Sequence, residues 1–386
     1  MSNTYPASVA ESFFRIFHEH PAMVVRAPGR INLIGEHTDY NEGFVLPAAI
    51  DRAIWLALSP RSDRKIHLHA LDMEAEFQSE LSSLQKSSLI WPDYLLGCFA
   101  ELLKDGHLLS GVNVVFGGNI PIGAGLSSSA ALESGLLFAL NELFMLGLDR
   151  LALARLAQRA ENQFVGTQCG IMDMFASLMG QETCALKLDC RDLSFETIPL
   201  QDENAALLLC DTGVKHQLAH SAYNTRRAEC EEGVGALRRY YPEIRSLRDV
   251  SLDMLETEKK HLRELVYRRC KFVIEENQRV ESASLLLQTN GLQAIGSLLY
   301  ASHDGLRRAY EVSCRELDFL VDHTPDSLSF YGARMMGGGF GGCTLNVLKK
   351  ESVADFSAYL TQKYRDKFNR ELRCWEVKIA EGVSKC

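Results

Sequence analysis

The sequence predicts an α+β protein of two domains, and three observations lead there. Strand-like and helix-like segments both run along the 386 residues, without the strict alternation of a parallel α/β sheet. One stretch, "GVNVVFGGNIPIGAGLSSSAALESGLLFALNELF", joins a β-branched strand, a Gly/Pro loop and a long helix from about Ser127. A hairpin pattern in "CALKLDCRDLSFETIPL" closes one set of elements, and "AALLLCDTGV" begins another. A boundary near residue 200 follows, giving domains 1–200 and 201–386, each long enough to bury its own core.

The elements are justified in chain order by their periodicity. Ala10 to His18 reads as a helix, and "AMVVRAPGR" as a strand entering a polar loop. "DRAIWLALSP" and "KIHLHALD" alternate as the two arms of a hairpin would. "PDYLLGCFAELLKDG" has helical spacing and stops at Gly106; a further helix spans roughly Arg150 to Val165. In the second half, helices are expected around 219–240 and 260–320, followed by "GARMMGGGFGGCTLNVL", a glycine-rich turn running into an alternating strand.

Composition narrows the function classes. The chain is 46% hydrophobic and 24% charged, and it carries a net charge of −9, which opposes general binding to nucleic acid or anionic membrane. The basic run Glu258 to Lys271 is interrupted by acids and reads as a solvated helix face. Eleven cysteines, an odd number without a CxxC pair, are expected to be reduced. No secretory signal is visible, and Asn141 and Glu142 interrupt the most apolar helix candidate. A cytoplasmic monomer is expected, with no nucleic-acid or membrane partner.

Chemistry concentrates in a few segments. "GRINLIGEHTDYNEG" packs Arg30, Glu36, His37 and Asp39 around the apolar stub Ile31 to Ile34, which a solvated loop would not need. "PIGAGLSSSAA" sits at a strand-to-helix turn, where backbone N–H groups gather around an anion. Its residues Gly123, Ala124, Gly125, Leu126, Ser127, Ser128 and Ser129 exceed what a capped turn requires. No Walker lysine, complete dinucleotide fingerprint, protein-kinase HRD or DFG element, or hydrolase GxSxG is present.

Three weaker signals accompany these. The five glycines around Phe340 suit close backbone packing against a ligand or another loop. Asp173, in "GIMD", falls at a helix start, where the helix dipole alone would favour a carboxylate. His216 and His220 in "HQLAH" have the spacing of half a zinc motif, but Gln217 stands where a catalytic Glu is needed.

Together, "APGRINLIGEHTDYNEGFVLP", "PIGAGLSSSAALESG", "GTQCGIMD" and "GARMMGGGFGGCTL" resemble the signature motifs of the GHMP small-molecule kinases. The "GEHTDYN" core resembles that of the galactokinases in particular. This resemblance implies an N-terminal mixed-sheet α/β domain and a C-terminal ferredoxin-like α+β domain, with the active site between them. It implies ATP, Mg2+ and galactose as ligands, and phosphoryl transfer to the C1 hydroxyl.

Residue roles follow from the same resemblance. Asp173 matches the catalytic aspartate and Arg30 its partner; Glu36, His37, Asp39, Gly170, Asp173 and Tyr223 match the sugar site. Gly123 to Ser129 would bind ATP phosphates, and Ser129 with Glu161 would hold the metal. Spacing alone also puts Glu133 on one helix face with Ser129, but the resemblance leaves Glu133 as a surface or core-edge carboxylate. Trp91 and Tyr94 fit either an adenine wall or simple core burial. Two other readings stay open: a sugar sensor without catalysis, and a kinase for another sugar such as N-acetylgalactosamine.

Overall fold

The computed structural model describes residues 5–121, 123–200, 202–214, 219–327 and 329–386, with 219–221 by backbone alone. The chain opens with α1 (Tyr5–Phe17), β1 (Met23–Asn32), β2 (Phe44–Val45), β3 (Pro47–Pro60), β4 (Lys65–Ala70) and β5 (Ala75–Glu80). It continues through α2 (Trp91–Lys104), β6 (Val112–Gly118), α3 (Ser128–Leu143), α4 (Arg150–Arg159), α5 (Met172–Met179), β7 (Cys184–Asp189) and β8 (Phe195–Pro199). The second half begins with β9 (Ala205–Asp211), α6 (Ala219–Leu237), α7 (Leu252–Thr257) and α8 (Glu264–Asn290). Then come α9 (Gly296–Asp304), α10 (Arg315–Asp322), β10 (Phe330–Met335), β11 (Cys343–Lys349), α11 (Val353–Phe368), β12 (Arg373–Val377) and β13 (Ser384–Lys385).

Three sheets organise these elements. A six-stranded sheet runs β13-β1-β3-β6-β4-β5, a four-stranded one β10-β11-β9-β12, and a small one β2-β7-β8. On β3, Ala53, Trp55 and Ala57 face α1 residues Val9 and Phe13, while Leu56 and Leu58 turn to the main core. The period of two buries both faces of the central strand. On β9 the same alternation sends Leu207 and Leu209 into that main core and Ala206, Leu208 and Cys210 toward α10 and α11. One hydrophobic core therefore crosses from the first half into the second.

Several expectations change here. The arms expected as a hairpin, "DRAIWLALSP" and "KIHLHALD", do not pair: β6 lies between them, antiparallel to β3 and parallel to β4. Alternation reports which face of a strand is buried, not which strand is its neighbour. The β7–β8 hairpin forms as expected. The second helix gives way after Arg159 to a π-turn over Ala160–Val165.

A cut at residue 200 falls between β8 and β9, but the last residues cross back. Val25 and Arg26 of β1 pair with Lys385 and Ser384 of β13. The basic run before Lys271 is not wholly a solvated face either, since Arg269 is buried and paired with Glu229 and Glu311. Burying that guanidinium is tolerable because two carboxylates receive it. All eleven cysteines are free thiols, and Cys386 alone of them is exposed. Among the described residues, no helix is long and apolar enough to cross a membrane. His216 lies outside the described residues, as does the side chain of His220.

Candidate active site

The site begins with the apolar stub. Ile31, Leu33 and Ile34 are wholly buried, which fixes the end of β1 and the polar loop after it. Backbone and side-chain bonds then tie the loop to α8. Gly35 N donates to Glu276 Oε1 at 2.9 Å, and Phe44 N donates to Asn277 Oδ1 at 2.8 Å. Thr38 Oγ1 closes the loop on the carbonyls of Gly35 and Phe44. The chain thereby presents Arg30, Glu36, His37 and Asp39 in fixed relative positions.

Arg30, 4% exposed, reaches across to two other segments. Its Nε donates to Asp173 Oδ1 at 2.8 Å and its Nη1 donates to the Gly125 carbonyl at 2.7 Å. Asp173 stands in the first turn of α5. Its other oxygen accepts from Ser127 Oγ at 2.5 Å. Ser127 heads α3 in the left-handed region, φ 57°, and its hydroxyl makes no helix cap because it is committed to Asp173. That use of Ser127 was not legible in the sequence.

The segment from Gly123 to Ser129 meets the glycine-rich turn. Gly123 and Gly125 have φ of 81° and 75°, a region glycine enters without strain. A Cβ at Gly125 would lie 3.3 Å from the Met336 carbonyl, and one at Gly342 would lie 3.3 Å from the Ala124 carbonyl. The two glycine-rich segments thus pack backbone to backbone, the close approach their composition suggested.

A second cluster surrounds a small polar pocket lined by Glu36, His37, Asp39, Gly170, Asp173 and Tyr223. Glu36 is tied down by Arg334, with Nη2 at 2.8 Å, and by Gly337 N, which donates to Oε1 at 2.8 Å. Arg334 is fully buried and also donates to the carbonyls of Asn32 and Leu33. Sequence reasoning missed Arg334, although an arginine inside an apolar, alternating strand was a signal. Gly170 packs so tightly that a Cβ there would overlap the Asp39 carboxyl. Burial and the neighbouring Asp173 push the Asp39 pKa up to about 7, whereas burial lowers that of His37 to about 3.

The expected metal ligands also adjoin. Ser129 hydrogen-bonds to the Glu161 carboxyl, whose pKa is raised to about 7 by burial and by Asp173. Glu161 lies on the π-turn, which turns its side chain toward α3. Glu133 corrects the sequence reading: it is wholly buried and faces Glu161, not solvent or the core edge. Among the described residues, neither Glu133 oxygen has a hydrogen-bond donor. Burial, the Glu161 charge and that contact push the Glu133 pKa well up. Two carboxyls in contact require a proton or a cation between them.

Next to the polar pocket lies a larger cavity of about 590 Å³, lined by Gly123, Gly125, Leu126, Ser127 to Ser129 and Glu161, with Ala124 buried behind them. Its far end is apolar, with Ile54, Trp91, Tyr94, Phe116 and Leu132 in the wall. Trp91 both faces this cavity and packs on Phe116, ring centroids 5.7 Å apart. Arg30, Asp173 and Gly338 line both cavities, so the two meet at the Arg30–Asp173 pair.

Comparison with known proteins places the whole chain in a family. Residues 11–60 match the galactokinase galactose-binding signature, 93–181 the GHMP kinase N-terminal domain, and 283–366 the GHMP kinase C-terminal domain. A galactokinase of Roseiflexus sp. (strain RS-1) is 42% identical over 97% of this chain and 96% of its own. One of Thermotoga maritima is 40% identical over 94% of this chain and 100% of its own. The crystal structure of Lactococcus lactis galactokinase complexed with galactose superposes with a TM-score of 0.94 at 31% identity, covering 98% of this chain and 99% of that one. The Methanococcus jannaschii mevalonate kinase, at 17% identity and a TM-score of 0.66, shares the fold. The two-domain GHMP architecture and the sugar-kinase class expected from the motifs both hold, and the chain belongs to the galactokinases of the GHMP kinase family.

Proposed function

We propose that this galactokinase-family chain transfers the γ-phosphoryl group of ATP to the C1 hydroxyl of α-D-galactose, giving galactose 1-phosphate and ADP. The observation that carries the reading is the shared wall. A polar pocket of sugar-binding type and a glycine-lined anion cleft open onto the same Arg30–Asp173 pair. A hydroxyl in the first then faces a phosphate in the second.

Glu36, His37, Asp39, Gly170 and Tyr223 bind the sugar, placing its anomeric hydroxyl beside Asp173. Asp173 orients that hydroxyl and accepts its proton as the oxygen attacks. Arg30 and Ser127 hold the carboxylate in place, and Arg30 also stabilises charge on the transferring group. A loose transition state asks little of the base, so positioning supplies most of the rate enhancement. The loop from Gly123 to Ser129 holds the phosphates at the start of α3. The apolar end of the cleft suits a nucleotide base, with Trp91 in its wall.

The donor set fits a magnesium ion. Ser129 and Glu161 adjoin, and the buried Glu133 carboxyl beside them lacks a donor among the described residues. When bound, the ion would neutralise charge on the ATP phosphates. Among the described residues no cluster of three or more His, Cys, Asp or Glu is built to hold a metal alone. Ser129 and Glu161 would therefore act together with the phosphates and water.

The test is ADP release with MgATP over galactose, glucose and N-acetylgalactosamine. Galactose should turn over rapidly. Glucose, which differs at C4, should fall behind by about 10³-fold or more in kcat/KM, as expected where buried polar groups read a hydroxyl. Equal values for glucose and galactose would refute the assignment. Binding of galactose and ATP without ADP release would replace it with the sensor reading.

A further inference from the structure

A line of hydrogen bonds runs from the sugar pocket into the core of the second half. His37 Nδ1 meets Tyr40 Oη at 2.8 Å, Tyr40 Oη meets Tyr310 Oη at 2.8 Å, and Tyr310 Oη meets Cys230 Sγ at 3.2 Å. Tyr310 and Cys230 are wholly buried, and His37 is nearly so. The His37 and Tyr310 rings also pack, with centroids 4.9 Å apart. His37 itself is held at φ 63°, and Asn41 Nδ2 donates to its carbonyl at 2.9 Å. A bulky side chain keeps that backbone conformation only where its surroundings demand it.

Such a line has two proton arrangements. Each hydroxyl can donate toward His37, so that Nδ1 accepts and Nε2 carries the ring proton. In the reverse order Nδ1–H donates to Tyr40, and the line ends with Tyr310 donating to sulfur. Imidazole nitrogen is a good acceptor and thiol sulfur a weak one, so the first arrangement gives the phenol protons better partners. The ring is neutral at ordinary pH, because burial holds its pKa near 3, so one nitrogen alone is protonated.

We propose that Tyr40 and Tyr310 are positioning residues that lock His37 in its Nε2–H tautomer, making it a hydrogen-bond donor to the bound sugar. Nε2 is buried, has no partner among the described residues, and belongs to a ring that lines the sugar pocket. The sugar hydroxyl facing it accepts there and donates its own O–H in a hydrogen bond to a neighbouring carboxyl of the same pocket. A ligand without oxygen at that position strands a buried N–H, which is how the line contributes to selectivity. This inference rests on the pocket being the sugar site.

The test is histidine-selective ¹⁵N labelling of the ligand-free protein, with two-bond ¹H–¹⁵N correlation; His37→Gln identifies the His37 signals. The wild-type ring should show a pyridine-like Nδ1 and a pyrrole-like Nε2. In Tyr40→Phe the two forms should mix, and the galactose KM should rise about tenfold, the scale of one hydrogen bond. The kcat and the ATP KM should stay within about twofold, since the line touches neither phosphate nor Asp173. Tyr310→Phe, which keeps the Tyr40–His37 contact, should change both readouts in the same sense by less. A pyrrole-like Nδ1 in the wild-type protein overturns the proposal, as does Tyr40→Phe with unaltered tautomer and KM. The tautomer is read without sugar, so it stands or falls separately from the galactose assignment.

Discussion

Ser127 Oγ donates to Asp173 Oδ2 at 2.5 Å while Arg30 Nε holds Oδ1 at 2.8 Å. The carboxylate is thus clamped through both oxygens, from the end of β1 and from the head of α3. Ser127→Ala should free one oxygen and lower kcat about tenfold, with the galactose KM little changed. Asp173→Asn should cost about 10²-fold or more in kcat while the protein stays folded. Steady-state ADP release alongside circular dichroism checks both; wild-type turnover in the purified Asn variant removes Asp173 from the mechanism.

Asp39 makes the ligand-free protein sensitive to pH. Its pKa rises from 3.8 to about 7 on folding, chiefly through burial. Between those values the folded state holds the extra proton, so this group's contribution to stability is full below pH 4 and is lost as pH rises through 7. Asp39→Asn removes the dependence. Its Tm relative to wild type should be higher at pH 8 than at pH 5, and a difference that stays constant or falls would contradict the assignment. The same variant should raise the galactose KM far more than the ATP KM.

Removing Ser129 or Glu161 should separate metal use from sugar binding. Ser129→Ala and Glu161→Gln should each raise the Mg2+ concentration for half-maximal turnover about tenfold, leaving galactose affinity by calorimetry near wild type. Glu133→Gln, which imitates a neutral carboxyl, should stay close to wild type. Glu133→Ala should lose about 2 kcal/mol of stability, because it opens a space in a fully buried site. Equal effects of Gln and Ala at Glu133 would show that its proton is not what matters there.

The Arg334–Glu36 pair binds the glycine-rich turn to the sugar loop inside the protein. Arg334→Met leaves Glu36 buried without its partner and should destabilise by about 3–5 kcal/mol. Urea unfolding measures this directly. Arg334→Met combined with Glu36→Gln should recover part of the loss, and no recovery would mean that Arg334 acts through the Asn32 and Leu33 carbonyls instead.

The sequence by itself determined many of the local elements and the motifs that mark the family. Periodicity marked the helices from Trp91 and Ser128, and the β7–β8 hairpin was readable from its pattern. The segments that hold Arg30, Ser127 and Asp173 stood out as a polar loop, a glycine–serine turn and a helix start, while the sugar and catalytic roles were implied by the resemblance to the GHMP kinases. Tertiary structure decided what those residues touch. It put β6 between β3 and β4, brought β13 back to β1, and set Glu133 against Glu161 rather than at an edge. It also joined Arg334 to the carbonyl of Asn32, 302 residues away, and His37 through Tyr40 to Tyr310. A residue's type and spacing report that it must be buried or paired. The partner is selected by packing across the whole core, and nothing local encodes which distant strand or helix will arrive there.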